Sequence, residues 1–192
     1  MKKLKHFIKT IIKEIALEDK KIRVFDFDDT LVKTDAKVYV FHKDGSTSQL
    51  TPGEYAIYEP QKDDSFNYDD FQEVKNPEEI KWVANILRSV YDKHGPAGAV
   101  ILTARDNYIP VKSFLNDIGM TGIYVEALGS SEPQDKANFI KNKIEFEGYT
   151  FVEFFDDSEK NARAVESMAK EMNMSVSVKE KMGNIFHLIL AK

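Results

Sequence analysis

From residue 21 onward, short apolar runs alternate with stretches of helical periodicity, and that alternation leaves few architectures open. Residues 22–26, 99–102, 123–125, 150–155 and 175–178 read as strands. Between them, residues 108–118, 134–146 and 158–172 read as helices. A further helix is expected after Asn76-Pro77, with Asn76 as its N-cap, Pro77 at its first position and Gly95-Pro96 ending it. Its buried face would be Ile80, Val83, Ile86, Leu87 and Val90. Residues 185–190 would pair with 175–178 across Gly183-Asn184. A strand, a crossover helix and a second strand pack only with right-handed connections, which predicts a mostly parallel sheet covered on both faces.

Two segments stand outside this alternation. Residues 33–75 hold strand-like runs at 38–41 and 55–58 around the turn formers Asp44-Gly45 and Pro52-Gly53, which predicts a hairpin or flap. Residues 62–70 read as a polar loop. The spacing of Asp63, Asp64, Asp69 and Asp70 there matches no calcium loop, so they are expected at a solvated surface. Residues 1–20 carry Leu4, Phe7, Ile8, Ile11, Ile12 and Ile15 at helical spacing, an amphipathic helix that would pack on the domain or on a second copy of the chain. Lys9, Lys13 and Glu14 interrupt it too often for a signal peptide, and no apolar run is long enough to span a bilayer. The expected division is therefore an N-terminal helix, 1–20, and one domain, 21–192.

The net charge of −5 argues against a surface built for long nucleic acid, though not against a strand end or a nucleotide. With no cysteine, thiol catalysis, disulfides and cysteine–zinc sites are excluded, which suits a cytoplasmic location.

Chemistry is concentrated where apolar strands end. Val24-Phe25-Asp26-Phe27-Asp28-Asp29-Thr30 and Phe154-Phe155-Asp156-Asp157 both place acids at the carboxyl end of a buried strand. Crowded, partly buried carboxylates raise each other's pKa and cost stability unless a cation joins them. A hard, oxygen-liganded ion is the simplest answer, and Mg²⁺ is expected. In parallel sheets such strand ends converge near the point where strand order reverses, so acids far apart in sequence can share one site.

These residues resemble the haloacid dehalogenase-like superfamily. Asp26-Phe27-Asp28-Asp29-Thr30 is similar to its first motif, and Val100-Ile101-Leu102-Thr103 to its second. Lys136 is similar to its third motif, a lone basic residue, and Asp156-Asp157 to its fourth, an acidic pair. They occur in the family's order, from residue 21 to about 178. The resemblance implies an α/β, Rossmann-like three-layer sandwich with a small flap or minimal cap after the first strand. It implies a phosphatase in which Asp26 is the nucleophile and Asp28 the acid–base partner. Asp26, the Asp28 backbone carbonyl and Asp157 would hold Mg²⁺, with Asp156 as a further ligand or as the group that orients metal-bound water. Thr103, Ala104 and Lys136 would hold the phosphoryl group.

Arg105, in Thr103-Ala104-Arg105, resembles the phosphatase half of polynucleotide kinases; it would contact the substrate, or else pair with Asp106 or Glu126. Cap insertions are short here, so an open site is expected, and with it a nucleotide or nucleic-acid terminal phosphate. The alternatives are a small metabolite such as a sugar phosphate, or a non-catalytic phospholigand-binding protein.

Overall fold

The strand β1 (Lys21–Phe25) is the axis of the molecule, because it lies inside the main sheet and buries Ile22, Val24 and Phe25. The computed structural model describes residues 20–192, apart from the side chains of Ala56 and of residues 179–182; the amphipathic stretch within 1–20 lies outside the described residues. In chain order, β1 is followed by β2 (Val32–Lys33), β3 (Val38–Phe41), β4 (Thr47–Leu50), α1 (Pro52–Ile57), β5 (Ser65–Asn67) and β6 (Glu78–Glu79). Then come α2 (Lys81–His94), β7 (Ala99–Thr103), α3 (Ile109–Asp117), β8 (Tyr124–Ala127) and α4 (Pro133–Glu147). The chain closes with β9 (Phe151–Asp156), α5 (Glu159–Glu171), β10 (Ser175–Met182) and β11 (Ile185–Ala191).

The main sheet has six strands in the order β10-β11-β9-β1-β7-β8. Strands β9, β1, β7 and β8 run parallel, and the hairpin β10–β11 adds antiparallel to β9. Because the chain runs from β1 to β7 and β8 on one side, and from β9 to β10 and β11 on the other, strand order reverses between β1 and β9. A crevice is expected at their carboxyl ends. Helices cover both faces. Phe25, Ile101 and Phe155 pack with α2 and α3, whereas Val24, Leu102 and Phe154 pack with α4 and α5. Phe25 stacks on Phe155 at 4.6 Å across the β1–β9 pair. Each such fully buried Phe contributes about 1.5–3 kcal/mol, which offsets the cost of the acids that follow both strands. No helix among the described residues is long and apolar enough to cross a membrane.

The insertion between β2 and β6 is a small unit of its own. β3 lies between β4 and β5 in an antiparallel sheet, and Ala36, Val38 and Phe71 are buried with Leu50, Tyr55 and Phe66 against them. Its neck is the β2–β6 ribbon, pairing Val32 with Glu79 and Lys33 with Glu78.

Four sequence expectations fail in or next to this insertion. Residues 55–58 are the end of α1 and its cap, not a strand. Thr51 and Glu54 form a capping box, and that local bonding overrides the strand preference of Tyr55, Ile57 and Tyr58. Residues 62–70 are not all loop, since β5 and a 3₁₀ turn (Asp69–Gln72) occupy much of them. Asp64 is not solvated: its carboxylate accepts from the Tyr58 hydroxyl at 2.6 Å and the Gln61 N–H at 2.8 Å, and lies 2.9 Å from His42 Nδ1. Asn76 is not an N-cap. It sits at φ 45°, a conformation Asn tolerates, in the turn before β6, and α2 begins at Lys81.

Candidate active site

The loop after β1 is a tight turn that brings Asp26 and Thr30 to the β9 end and turns Asp28 and Asp29 toward Arg105 and Gly53. Phe27 carbonyl accepts from both Leu31 N–H (2.9 Å) and Val32 N–H (3.0 Å), and Asp29 takes φ 57° to let the chain reverse. Asp26 N–H donates to Phe155 carbonyl at 2.9 Å, so Asp26 is still held by the sheet. Thr30, fully buried, stitches the two loops: its hydroxyl accepts from Asp157 N–H at 2.9 Å and donates to Asp157 Oδ1 at 3.2 Å.

Lys136 arrives from the first turn of α4. It shares the sheet-facing stripe with Ile140 and Ile144, four and eight residues on, so helix packing drives its amine into the site. The ammonium donates to Asp26 Oδ1 at 2.6 Å and Asp156 Oδ2 at 2.8 Å. Asp156 is wholly buried and saturated: Oδ1 also accepts from Ser158 N–H and from Asn161 Nδ2, both at 2.9 Å. The Asp157 carboxylate, by contrast, is steadied by the neutral Thr30 hydroxyl.

Asp26, Asp156 and Asp157 each bring a carboxylate oxygen within 4.8 Å of the other two, close enough for a cation to be held among them. Three carboxylates face one ammonium. Burial, and behind it the charges of Asp156 and Asp157, push Asp26 well above the usual carboxylate range although Lys136 pulls it down. Burial alone would depress Lys136; Asp156 and Asp26 outweigh it and keep the amine protonated. Asp157 is raised to about 6, chiefly by burial and then by Asp156 and Asp29. The excess negative charge and the oxygen-only donor set fit Mg²⁺.

A stability prediction follows from the sign of these shifts. With its folded pKa near 6, Asp157 binds more protons folded than unfolded between about pH 4 and 6. Without a cation, stability therefore falls as pH rises through that window. Mg²⁺, which binds the ionised form, should raise Tm more at pH 7.5 than at pH 5. At a hundredfold excess over Kd the gain at pH 7.5 should be roughly 5–10 °C. Asp157→Asn should shrink it; an equal gain at both pH values in thermal unfolding would count against carboxylate ligation.

The acid two residues beyond Asp26 is engaged elsewhere. Arg105 forks onto Asp28, Nε donating to Oδ2 at 2.9 Å and Nη2 to Oδ1 at 2.8 Å. Its Nη1 donates to the carbonyls of Phe71 and Glu73 at 2.9 and 2.8 Å. Arg105 is 4% exposed. It pairs with neither Asp106 nor Glu126, and its guanidinium is spent on protein partners where a substrate contact was expected. The buried Thr103 hydroxyl accepts from Arg105 N–H at 3.2 Å, which leaves its own hydrogen for another acceptor, and Ala104 beside it is exposed.

Thus Asp26, Lys136, Asp156 and Asp157 meet in one cluster, while the Asp28 carboxylate faces Arg105. Sequence reasoning missed Asn161, which clamps both oxygens of Asp156 at 2.9 and 3.1 Å, and the bracing role of Thr30. The Ser158 N-cap three residues ahead of Asn161 was the one signal for it. No protein-family model, no curated protein and no solved structure matches the chain.

Proposed function

We propose that the chain is a Mg²⁺-dependent phosphomonoester hydrolase working through an aspartyl-phosphate on Asp26. The observation that carries this reading is the buried Lys136 ammonium between Asp26 and Asp156, with Asp157 in the same cluster, where two parallel strands end at a reversal of strand order. The resemblance to haloacid dehalogenase-like phosphatases, and the Rossmann-like class it implies, supports the same reading.

In it, a carboxylate oxygen of Asp26 attacks phosphorus, and the bond to the leaving oxygen breaks as Asp28 supplies the proton. Asp28 then takes a proton from the water that hydrolyses the acyl phosphate. Asp26, Asp157 and the Asp28 backbone carbonyl would hold Mg²⁺, which supplies charge neutralisation at the phosphoryl oxygens. Asp156, with both oxygens occupied, orients Lys136 and the loop rather than binding metal itself. Lys136 and the Thr103 hydroxyl supply fixed donors for the phosphoryl group.

For the substrate we propose a nucleotide or nucleic-acid terminal phosphate. This rests on the resemblance and on the small insertion, since Arg105 is committed to Asp28 and the insertion. The test is hydrolysis of 4-nitrophenyl phosphate with Mg²⁺ and with EDTA, followed by nucleotides, 3′-phosphorylated oligonucleotides and sugar phosphates. Turnover should need Mg²⁺, and Ca²⁺, with its looser coordination, should support little. Higher kcat/KM on sugar phosphates would move the substrate to small metabolites. No turnover on any of these esters would leave a phospholigand-binding protein.

A further inference from the structure

One side chain, Arg105, joins the insertion, the loop after β7 and the catalytic loop, and Gly53 N–H of the insertion donates separately to Asp29 Oδ2 of that loop at 3.1 Å. Arg105 uses four of its five N–H donors: two on Asp28, one on Phe71 carbonyl and one on Glu73 carbonyl. Its guanidinium carbon also lies 5.2 Å from the Phe27 ring centre and 5.1 Å from that of Phe71. Phe27 belongs to the catalytic loop and Phe71 to the insertion, so the fork is held between rings from both. The same seam is closed beside it by Gln72 Nε2 donating to Asp106 Oδ1 at 3.2 Å, and by Asn107 Nδ2 donating to Gln72 Oε1 at 2.8 Å.

A planar fork fixes a carboxylate in distance and in plane, which a lysine cannot do. The Arg105 side chain is 1% exposed, whereas that of Asp28 is 13% exposed, so Asp28 is gripped from the protein side and keeps an edge toward solvent. Rotation of the Asp28 carboxylate would break both fork bonds, and undocking residues 71–73 would strip the guanidinium of two acceptors and one ring.

We infer that Arg105 is the positioning residue for Asp28, and that the insertion segment 71–73, docked on Arg105, completes this support, so that proton transfer to the leaving group requires the insertion to be docked. This deepens the phosphatase reading and rests on it. In the step concerned, the Asp26–phosphorus bond forms, the phosphorus–oxygen ester bond breaks, and the Asp28 proton passes to the departing oxygen. A poor alkoxide leaving group needs that proton, and 4-nitrophenolate does not.

The experiment measures leaving-group release in single turnover for an alkyl phosphate and for 4-nitrophenyl phosphate. Arg105→Lys and Phe71→Leu are each made in the wild-type and Asp28→Asn backgrounds. Both variants should lose at least about tenfold on the alkyl ester and stay within about threefold on the aryl ester, since general-acid catalysis is worth about 10²–10⁴-fold. With Asp28→Asn the further loss should vanish, because residues acting through one group are not additive. Equal losses on both esters, or losses that multiply with Asp28→Asn, would overturn the proposal and leave Arg105 as a support of the seam alone. If Arg105→Lys does not fold, Phe71→Leu, which leaves Arg105 and Asp28 unaltered and removes only the ring by which the insertion packs on the guanidinium, decides. Absence of Mg²⁺-dependent turnover in the wild-type protein would instead defeat the phosphatase reading itself.

Discussion

Asp26→Asn should abolish turnover, by at least about four powers of ten, while the protein folds at least as stably as before. An amide cannot form the acyl phosphate, and loss of a nucleophile normally costs effects of that size. The stability half of the expectation comes from the site's charge balance. Asp26 is buried among Asp156 and Asp157, and burial makes its ionised form unfavourable. Removing one of three carboxylates leaves Lys136 still paired with Asp156 at 2.8 Å. In metal-free buffer near pH 7.5, the substitution should therefore raise Tm or leave it unchanged, a case of stability given up for function. Turnover within about tenfold of wild type would remove Asp26 from the nucleophile role. A large fall in Tm would mean that Asp26 is a structural partner of Lys136 first.

Lys136→Met should produce the opposite pairing of effects, losing both turnover and stability. The methionine keeps the stem that packs with Ile140 and Ile144 on the inner face of α4, so the change isolates the ammonium. Without it, Asp26 and Asp156 are left buried with no countercharge. Breaking a buried ion pair from one side costs about 3–5 kcal/mol. The loss should be largest at pH 7.5 and shrink toward pH 5, as carboxylates with raised folded-state pKa values take up protons. Mg²⁺ should restore part of it, since a divalent ion supplies the missing positive charge. Denaturation at the two pH values, with and without Mg²⁺, measures this. A loss independent of both would place Lys136 in packing rather than in electrostatics.

The contrast between these two variants shows how the site departs from an ordinary core. Its scaffold is apolar and dense, with Phe25 and Phe155 stacked at 4.6 Å beneath the acids. The acids themselves are held in place by donors from separate elements: Lys136 of α4, Thr30 of the β1 loop, and Ser158 with Asn161 at the start of α5. Arg105 does the same for Asp28 from the loop after β7.

Much of this was legible in the amino-acid sequence, for local reasons. The strand runs were short and apolar, the helices between them were amphipathic, and acids followed two of the strands directly. Position along a strand sets where a residue emerges, so Asp26, Thr103 and Asp156 could be placed at one edge from chain order alone. The hairpin β10–β11 followed likewise from Gly183-Asn184. Where two local signals competed, the reading failed. Tyr55, Ile57 and Tyr58 spoke for a strand, while Thr51-Pro52-Gly53-Glu54 spoke for a helix start, and the capping box prevailed. At Asn76 a cap-forming residue before proline looked like a helix start, yet β2–β6 pairing pulled Glu78 and Glu79 into a ribbon and delayed the helix to Lys81.

Tertiary structure alone decided what each charge touches. Arg105 stands two residues from Thr103 in sequence and 77 from Asp28, and only the β1–β7 pairing brings its fork onto that carboxylate. Asp156 and Asp157 are neighbours of one residue type, yet Asp156 alone meets Lys136, Ser158 N–H and Asn161, because successive side chains leave a strand end in different directions. The Asp64 carboxylate is covered only because Tyr58, Gln61 and His42 converge on it once β3, β4 and β5 pair. Residue type and strand position are written along the chain, and they determined which acids could meet. Partnership is set by distance across the fold, which strand pairing and helix packing create and which no local pattern encodes.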